Sequence, residues 1–378
     1  MKKILFKYIL FLQILLSVSC TDKGTSKLED DTSSTVINTG GNSIQLDPLV
    51  FYSSGISIDQ FVKDLKKANI NSVHFMFVNV WDGTRDESML KPELLKALKD
   101  NGISMWMMVL GNCFYTKPNF PSSWEMGLLT PYPGVYFYSF HHPDFVAWQA
   151  KRVRNFIKNY PEISGVEFAE SYFPEWKTLK NNGFYGDVSS YALNKFSKEY
   201  LNESKVYSFD EIRNTPSLYN KWIDFRAEAV TNFNKEIKKA VKETDPKVLF
   251  ASWGMGIRNG SLDEIKEHFG LDMVKIVADV EPDVFFIQTS SQDWSDESLD
   301  PSYYKAYDYV FNALKKANSK VKIGIQTDIA SHSYHNPSSR KRTGVWWKNF
   351  MDGVTKHGYY TSTAYEYTFY KKQGLWVD

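Results

Sequence analysis

Apolar and polar positions along the chain follow two periods. Short runs rich in β-branched and aromatic residues recur at 49–52, 72–80, 104–110, 165–170, 248–253, 284–289, 321–328 and 359–367. Runs apolar on both faces suit strands buried on both sides. Between them lie stripes at helical spacing. Ser57 is placed to cap a helix carrying Ile58, Phe61, Val62, Leu65 and Ala68, and Phe145, Trp148, Val153, Phe156 and Ile157 form a second stripe. Eight strands in strict alternation with helical crossovers predict a (β/α)8 TIM barrel over residues 46–378. An open doubly wound sheet would carry a phosphate-binding turn after its first strand. The nearest glycine cluster, Gly254, Gly256 and Gly260, follows the fifth run and has one residue too many, so it reads as a loop at the barrel mouth. Past Tyr370 only Lys371 to Asp378 remain, which predicts a barrel lacking a full eighth helix.

The N-terminus has a different pattern. Met1, Lys2 and Lys3 precede an apolar run from Ile4 to Leu16, broken by Lys7 and Gln13, and the run ends in Leu16-Ser17-Val18-Ser19-Cys20. It is too short and interrupted for a spanning helix. It reads instead as a lipoprotein signal peptide over 1–19, with an acylated Cys20 as the mature N-terminus. Residues 20–45, rich in Ser, Thr, Asp and Gly with no apolar period, read as a flexible tether after that anchor. The expectation is an exported chain, lipid-anchored to a bacterial membrane at the cell envelope or surface.

Composition narrows the chemistry. A net charge of +1 and 24% charged residues leave no basic excess for nucleic acid, and no Lys/Arg-rich run with interleaved aromatics supplies one locally. The two cysteines, Cys20 and Cys113, form no disulfide framework. Cys113 has no histidine at a strand end to activate it, and no Gly-x-Ser-x-Gly elbow is present. His332 and His335 form an H-x-x-H and His141-His142 a pair, both read as loop histidines rather than ligands, so neither a metal nor a cofactor is expected.

In a barrel the catalytic groups belong at the carboxyl ends of strands. The polar residues there are Asn79, Asp82, Asn112, Glu167, Glu170, Ser252, Gln288, Asp293, Gln326, Asp328 and Glu366. Carboxylates dominate, and paired carboxylates across a mouth suit glycoside hydrolysis, with one protonating the leaving oxygen while another attacks the sugar or activates water. Two acids on one short strand, Glu167 and Glu170, are costly unless they face a wet cavity. Trp81, Phe114, Tyr115, Trp124, Tyr132, Tyr172, Trp176, Trp253, Trp294, Tyr334 and Tyr365 fall at or just past strand ends, where flat faces stack on sugar C–H surfaces. The substrate-binding candidates are Asn79, Trp81, Asn112, Tyr172, Trp253, Gln288, Trp294, Gln326 and Tyr365.

The stretch from 142 to 171, HPDFVAWQAKRVRNFIKNYPEISGVEFAES, resembles the segment of many TIM-barrel glycoside hydrolases in which a helix precedes a fourth strand ending in the acid/base glutamate. YALNKFSKEYL at 191–201, and the segment 217–253 beginning SLYNKWIDFRAEAV, resemble the insertion and long helix that follow in clan A β-galactosidase-like enzymes and related glycosyl hydrolases. The resemblance implies a retaining enzyme with its acid/base on the fourth strand and its nucleophile on the seventh. Glu170 then takes the acid/base position, preceded by Ala169 where the family has Asn. On the seventh strand Gln326-Thr327-Asp328 replaces the family glutamate, making Asp328 the positional nucleophile or base, with Glu366 on the eighth strand as its substitute. The expected function is hydrolysis of an extracytoplasmic oligo- or polysaccharide. The alternative, drawn from the two departures, is a glycan-binding lipoprotein that keeps the barrel without cleavage.

Overall fold

The computed structural model describes residues 40–77, 89–174, 183–290, 293–294, 296, 298–328 and 342–377. Its strands are β1 (Gly41–Leu46), β2 (Ile70–Phe77), β3 (Ser104–Leu110), β4 (Cys113–Phe114), β5 (Tyr136–Phe137), β6 (Gly165–Ala169), β7 (Leu249–Met255), β8 (Val284–Gln288), β9 (Lys322–Asp328) and β10 (Thr361–Tyr365). Eight of them close in the order β1-β10-β9-β8-β7-β6-β3-β2, all neighbours parallel, while β4 and β5 pair as a separate antiparallel ribbon. This is the (β/α)8 barrel that the alternation predicts.

One strand differs from expectation. Residues 49–52 belong to the helix Pro48–Ser53, capped by Asp47, whose Oδ1 accepts from the N–H groups of Leu49 (2.9 Å) and Val50 (3.2 Å). The first strand lies earlier, at Gly41–Leu46, so residues 41–45 belong to the barrel and not to the tether. At the other end a short helix, Tyr367–Lys372, follows β10 where a full eighth helix was not expected.

Register shows which side chains fill the barrel. Gln45, His74, Trp106 and Gly165 are lateral partners on four adjoining strands, as are Met108, Glu167 and Ala251 one pleat higher. Lateral partners in a parallel sheet point the same way. Gly165 is small because the Trp106 ring occupies its space: a Cβ there would lie 2.4 Å from the ring. The outward face packs on helices, as Phe168 does against Phe233 (5.5 Å) of the helix Pro216–Thr244.

Between β6 and β7 an insertion carries the helices Ser190–Lys195 and Phe209–Asn214, the former continuing into a π-helical turn at Phe196–Tyr200. Tyr185, Phe196, Phe209, Ile212, Trp222 and Phe225 form a second small core there, beside the main one.

Candidate active site

Glu170 is the first residue beyond β6, and its backbone is left-handed, with φ at +51°. Extended backbone would send its side chain outward with Phe168; the turn brings it instead to the residues above β3 and β8. Its Oε2 accepts from the Cys113 thiol at 3.4 Å, and its Oε1 accepts from Gln288 Nε2 at 3.3 Å. Tyr172 in turn donates its hydroxyl to Gln288 Oε1 at 3.4 Å. Burial pushes the Glu170 carboxyl above the usual carboxylate range, while the bonds from Gln288 and Cys113 pull the other way. The thiol itself is held well above its ordinary value, first by burial and then by the neighbouring Glu170 charge. The same carboxylate acts on Tyr132 and Tyr172, whose hydroxyls are raised mainly by burial, so the acid sits among tyrosines. An upward shift of this kind, beside aromatic faces, moves a carboxyl toward the range in which it can donate a proton to a leaving oxygen.

Glu167 lies deeper and is fully buried. Its Oε1 is 2.5 Å from His74 Nδ1, and its Oε2 accepts from Trp253 Nε1 at 2.9 Å. His74 stacks flat on Trp106 (centroids 5.5 Å, 4° between planes), and Trp253 stacks on Phe286 at 4.7 Å. Both oxygens of this buried acid are thus satisfied, as burial of a polar group requires. Two expectations are thereby corrected. Glu167 is a hydrogen-bonded member of the barrel interior rather than a group offered to substrate, and Trp253, 1% exposed, has no face open to a sugar.

Glu366 is corrected likewise. It caps the helix Tyr367–Lys372, accepting from the N–H groups of Thr368 (3.0 Å) and Phe369 (2.9 Å), and it also takes a hydrogen bond from the Asp47 backbone. Its oxygens close a seam between the first and last strands. Asp328 ends β9 with Tyr365 as lateral partner, and its carbonyl oxygen accepts from Arg342 at 2.6 Å. By the pleat it shares the inward face with Gln326 and Gly324.

No family model matches the chain, and no curated protein matches it in sequence. Solved structures do match in shape. The glycoside hydrolase domain of PgaB (BpsB) from Bordetella bronchiseptica superposes with a TM-score of 0.64 at 14% identity, over 88% of this chain and 95% of that one. The β-galactosidase of the haloarchaeon Halorubrum lacusprofundi gives 0.57 at 13% identity, over 86% of this chain and 52% of that one. That of Marinomonas ef1 gives 0.55 at 14% identity, over 86% and 54%. The shared feature is the barrel. The chain spans about half the length of these β-galactosidases and nearly all of the PgaB domain.

Within this barrel the remaining candidates separate. Gln288 and Tyr172 join Glu170. Gln326 is buried with its Oε1 unpartnered, on the strand next to β8. Tyr365 is partly exposed at the end of β10. Asn112 is fully buried, its Nδ2 donating to the Tyr138 carbonyl at 3.2 Å, so it fastens the chain after β5 rather than lining an open mouth. Trp294 is also turned inward, its Nε1 donating to Thr289 Oγ1 at 2.7 Å. Asn79, Trp81, Cys20, Asp82, Trp176, His332, Tyr334 and His335 lie outside the described residues. Among the described residues no cluster of His, Cys, Asp and Glu is arranged to hold a metal. Sequence reasoning missed two partnerships, Cys113 with Glu170 and His74 with Glu167. A histidine amid the apolar run Val73 to Phe77 was the available signal for the second; nothing in the sequence marks the first.

Proposed function

We propose that the chain is an exported, membrane-tethered glycoside hydrolase acting on an oligo- or polysaccharide outside the cytoplasm. Glu170 is its general acid, and Asp328, fully buried on the inward face at the end of β9, is its base or nucleophile by position alone. The observation that carries this reading is the Glu170 carboxyl, shifted upward by burial and held by Cys113 and Gln288 among Tyr132 and Tyr172 at the strand ends. The fold likeness to glycoside hydrolases agrees with it, and the signal-like segment ending at Cys20 motivates the tether. The purified chain is to be incubated with host, plant and microbial glycans and the products separated by chromatography. Wild type should release oligosaccharides. Glu170→Gln should lower the rate by about 10²-fold or more while leaving the unfolding transition in place. Equal release by both would remove Glu170 from the mechanism.

A binding-only reading has its own support. Ala169 stands before Glu170 with no polar side chain to meet a sugar hydroxyl, and both Glu167 and Glu366 are engaged within the fold. Retained glycan affinity with no release on long incubation would favour it over hydrolysis.

A further inference from the structure

Cys113 reaches Glu170 through a contact that the fold is shaped to make. Gly111 follows β3, and its N–H donates to the Ala169 carbonyl at 2.8 Å, so the chain leaving β3 runs against the chain leaving β6. A Cβ at Gly111 would lie 2.2 Å from Ser171 Oγ and 2.6 Å from Ser171 Cα, a clash in which backbone must move, so glycine is what allows this approach. Two residues on, Cys113 opens the β4–β5 ribbon opposite Phe137. The left-handed turn at Glu170 completes the meeting from the other side. The thiol is 3% exposed, whereas Glu170 keeps part of its surface open. A buried side chain thus backs an acid that substrate can still reach.

The two oxygens of Glu170 have unlike partners. Oε1 faces the Gln288 amide nitrogen at 3.3 Å, and the Tyr172 hydroxyl, donating to Gln288 Oε1, holds that amide in orientation. An amide nitrogen donates and does not accept, so a proton on Oε1 would meet a donor. Oε2 faces the Cys113 sulfur at 3.4 Å, and a thiol is both a weak donor and a weak acceptor. It donates to the carboxylate, and on rotation of its S–H the sulfur accepts from the carboxylic acid. The other titratable groups that feel this carboxylate are Tyr132, before β5, and Tyr172, after β6, with Tyr115, beyond β4, acting in turn on Tyr172. Burial holds the Tyr132 and Tyr172 hydroxyls above their ordinary range, so both stay neutral as Glu170 titrates.

We propose, on the reading of Glu170 as general acid, that Cys113 is a positioning residue for it, placing the transferable proton on Oε2 and serving that oxygen in both protonation states. The direct probe is the infrared S–H stretch of the full-length chain carrying Cys20→Ser, in which Cys113 is the one thiol. The band should move to higher frequency as pH falls and Glu170 takes up its proton, and Glu170→Gln should leave it fixed at every pH. Deleting the donor in Cys113→Ala should shift the high-pH limb of glycan release to higher pH, because the carboxylate loses a bond that favours it. Cys113→Ser, whose hydroxyl also donates and accepts, should return the limb to the wild-type position or below it. A wild-type band that ignores pH, or coincident limbs for the Ala and Ser variants, overturns the proposal. No release from any glycan, with a pH-sensitive band that Glu170→Gln freezes, would instead end the hydrolase reading and uphold the pairing of thiol and carboxyl. Should Cys113→Ala fail to fold, the band compared between the Cys20→Ser chain and the same chain carrying Glu170→Gln still decides.

Discussion

Glu366 shows how one residue type takes different roles at neighbouring strand ends. Burial lifts its carboxyl from 4.5 to about 7, against the lowering effect of hydrogen bonds from the Thr368, Phe369 and Asp47 backbones. Between those values the folded chain holds a proton that the unfolded chain has lost. Stability from this group is therefore complete below about pH 4.5 and declines as pH rises toward 7. At about 1.4 kcal/mol per unit, the decline is on the order of 3 kcal/mol across the window. Glu366→Gln keeps an oxygen for the helix cap and removes the titration. Urea unfolding at pH 5 and pH 7 should show the variant losing less stability than wild type over that interval, and parallel losses would refute the assignment. Glu170 is raised in the same direction by burial, but its donors are the side chains of Cys113 and Gln288 rather than a helix end. The two acids share a pKa direction, and only their partners separate a structural cap from the proposed proton donor.

At the scale of elements, seven of the eight barrel strands were legible as short β-rich runs between helical stripes, most plainly where both faces are apolar, as in β3 (Ser104–Leu110) and β8 (Val284–Gln288). β1 was not, for a physical reason. In Gly41–Leu46 only Ile44 and Leu46 are apolar, because the inward positions are Ser43 and Gln45 and this part of the barrel interior is polar. The apolar run just after it, Leu49 to Tyr52, reads as a strand until Asp47 is seen to cap it as a helix. The candidate site was legible to a similar depth. A strand end marks Glu170, but whether an acid opens to the mouth depends on one pleat and one left-handed turn. Glu167 is one pleat too deep, and the turn at Glu170 has no glycine or asparagine to announce it. The partnership with Cys113 joins residues 57 positions apart, a separation that local periodicity cannot reach.

For the whole molecule, closure depends on that least conspicuous strand. β1 pairs with β2 along one edge and with β10 along the other, and Ser43 Oγ donates to the Ser362 carbonyl at 2.9 Å. Asp47, just beyond it, hydrogen-bonds Glu366 at the far end of the barrel chain. A chain cut at residue 47, close to where hydropathy alone would start the domain, would leave β2 and β10 with unpaired ladders and open the interior to water. Open edges of this kind invite association with other chains. A chain beginning at Gly40 retains every β1 pairing. We expect the 40–378 chain to unfold in a single cooperative urea transition with a well-developed near-ultraviolet circular dichroism signal. The 47–378 chain should lose that signal and aggregate. A 47–378 chain with the same midpoint and spectrum would mean that the barrel closes without β1. Because Glu366 holds this seam shut from the opposite end, the truncation should also erase the pH 5 to 7 stability difference between wild type and Glu366→Gln, tying the residue's titration to closure of the barrel.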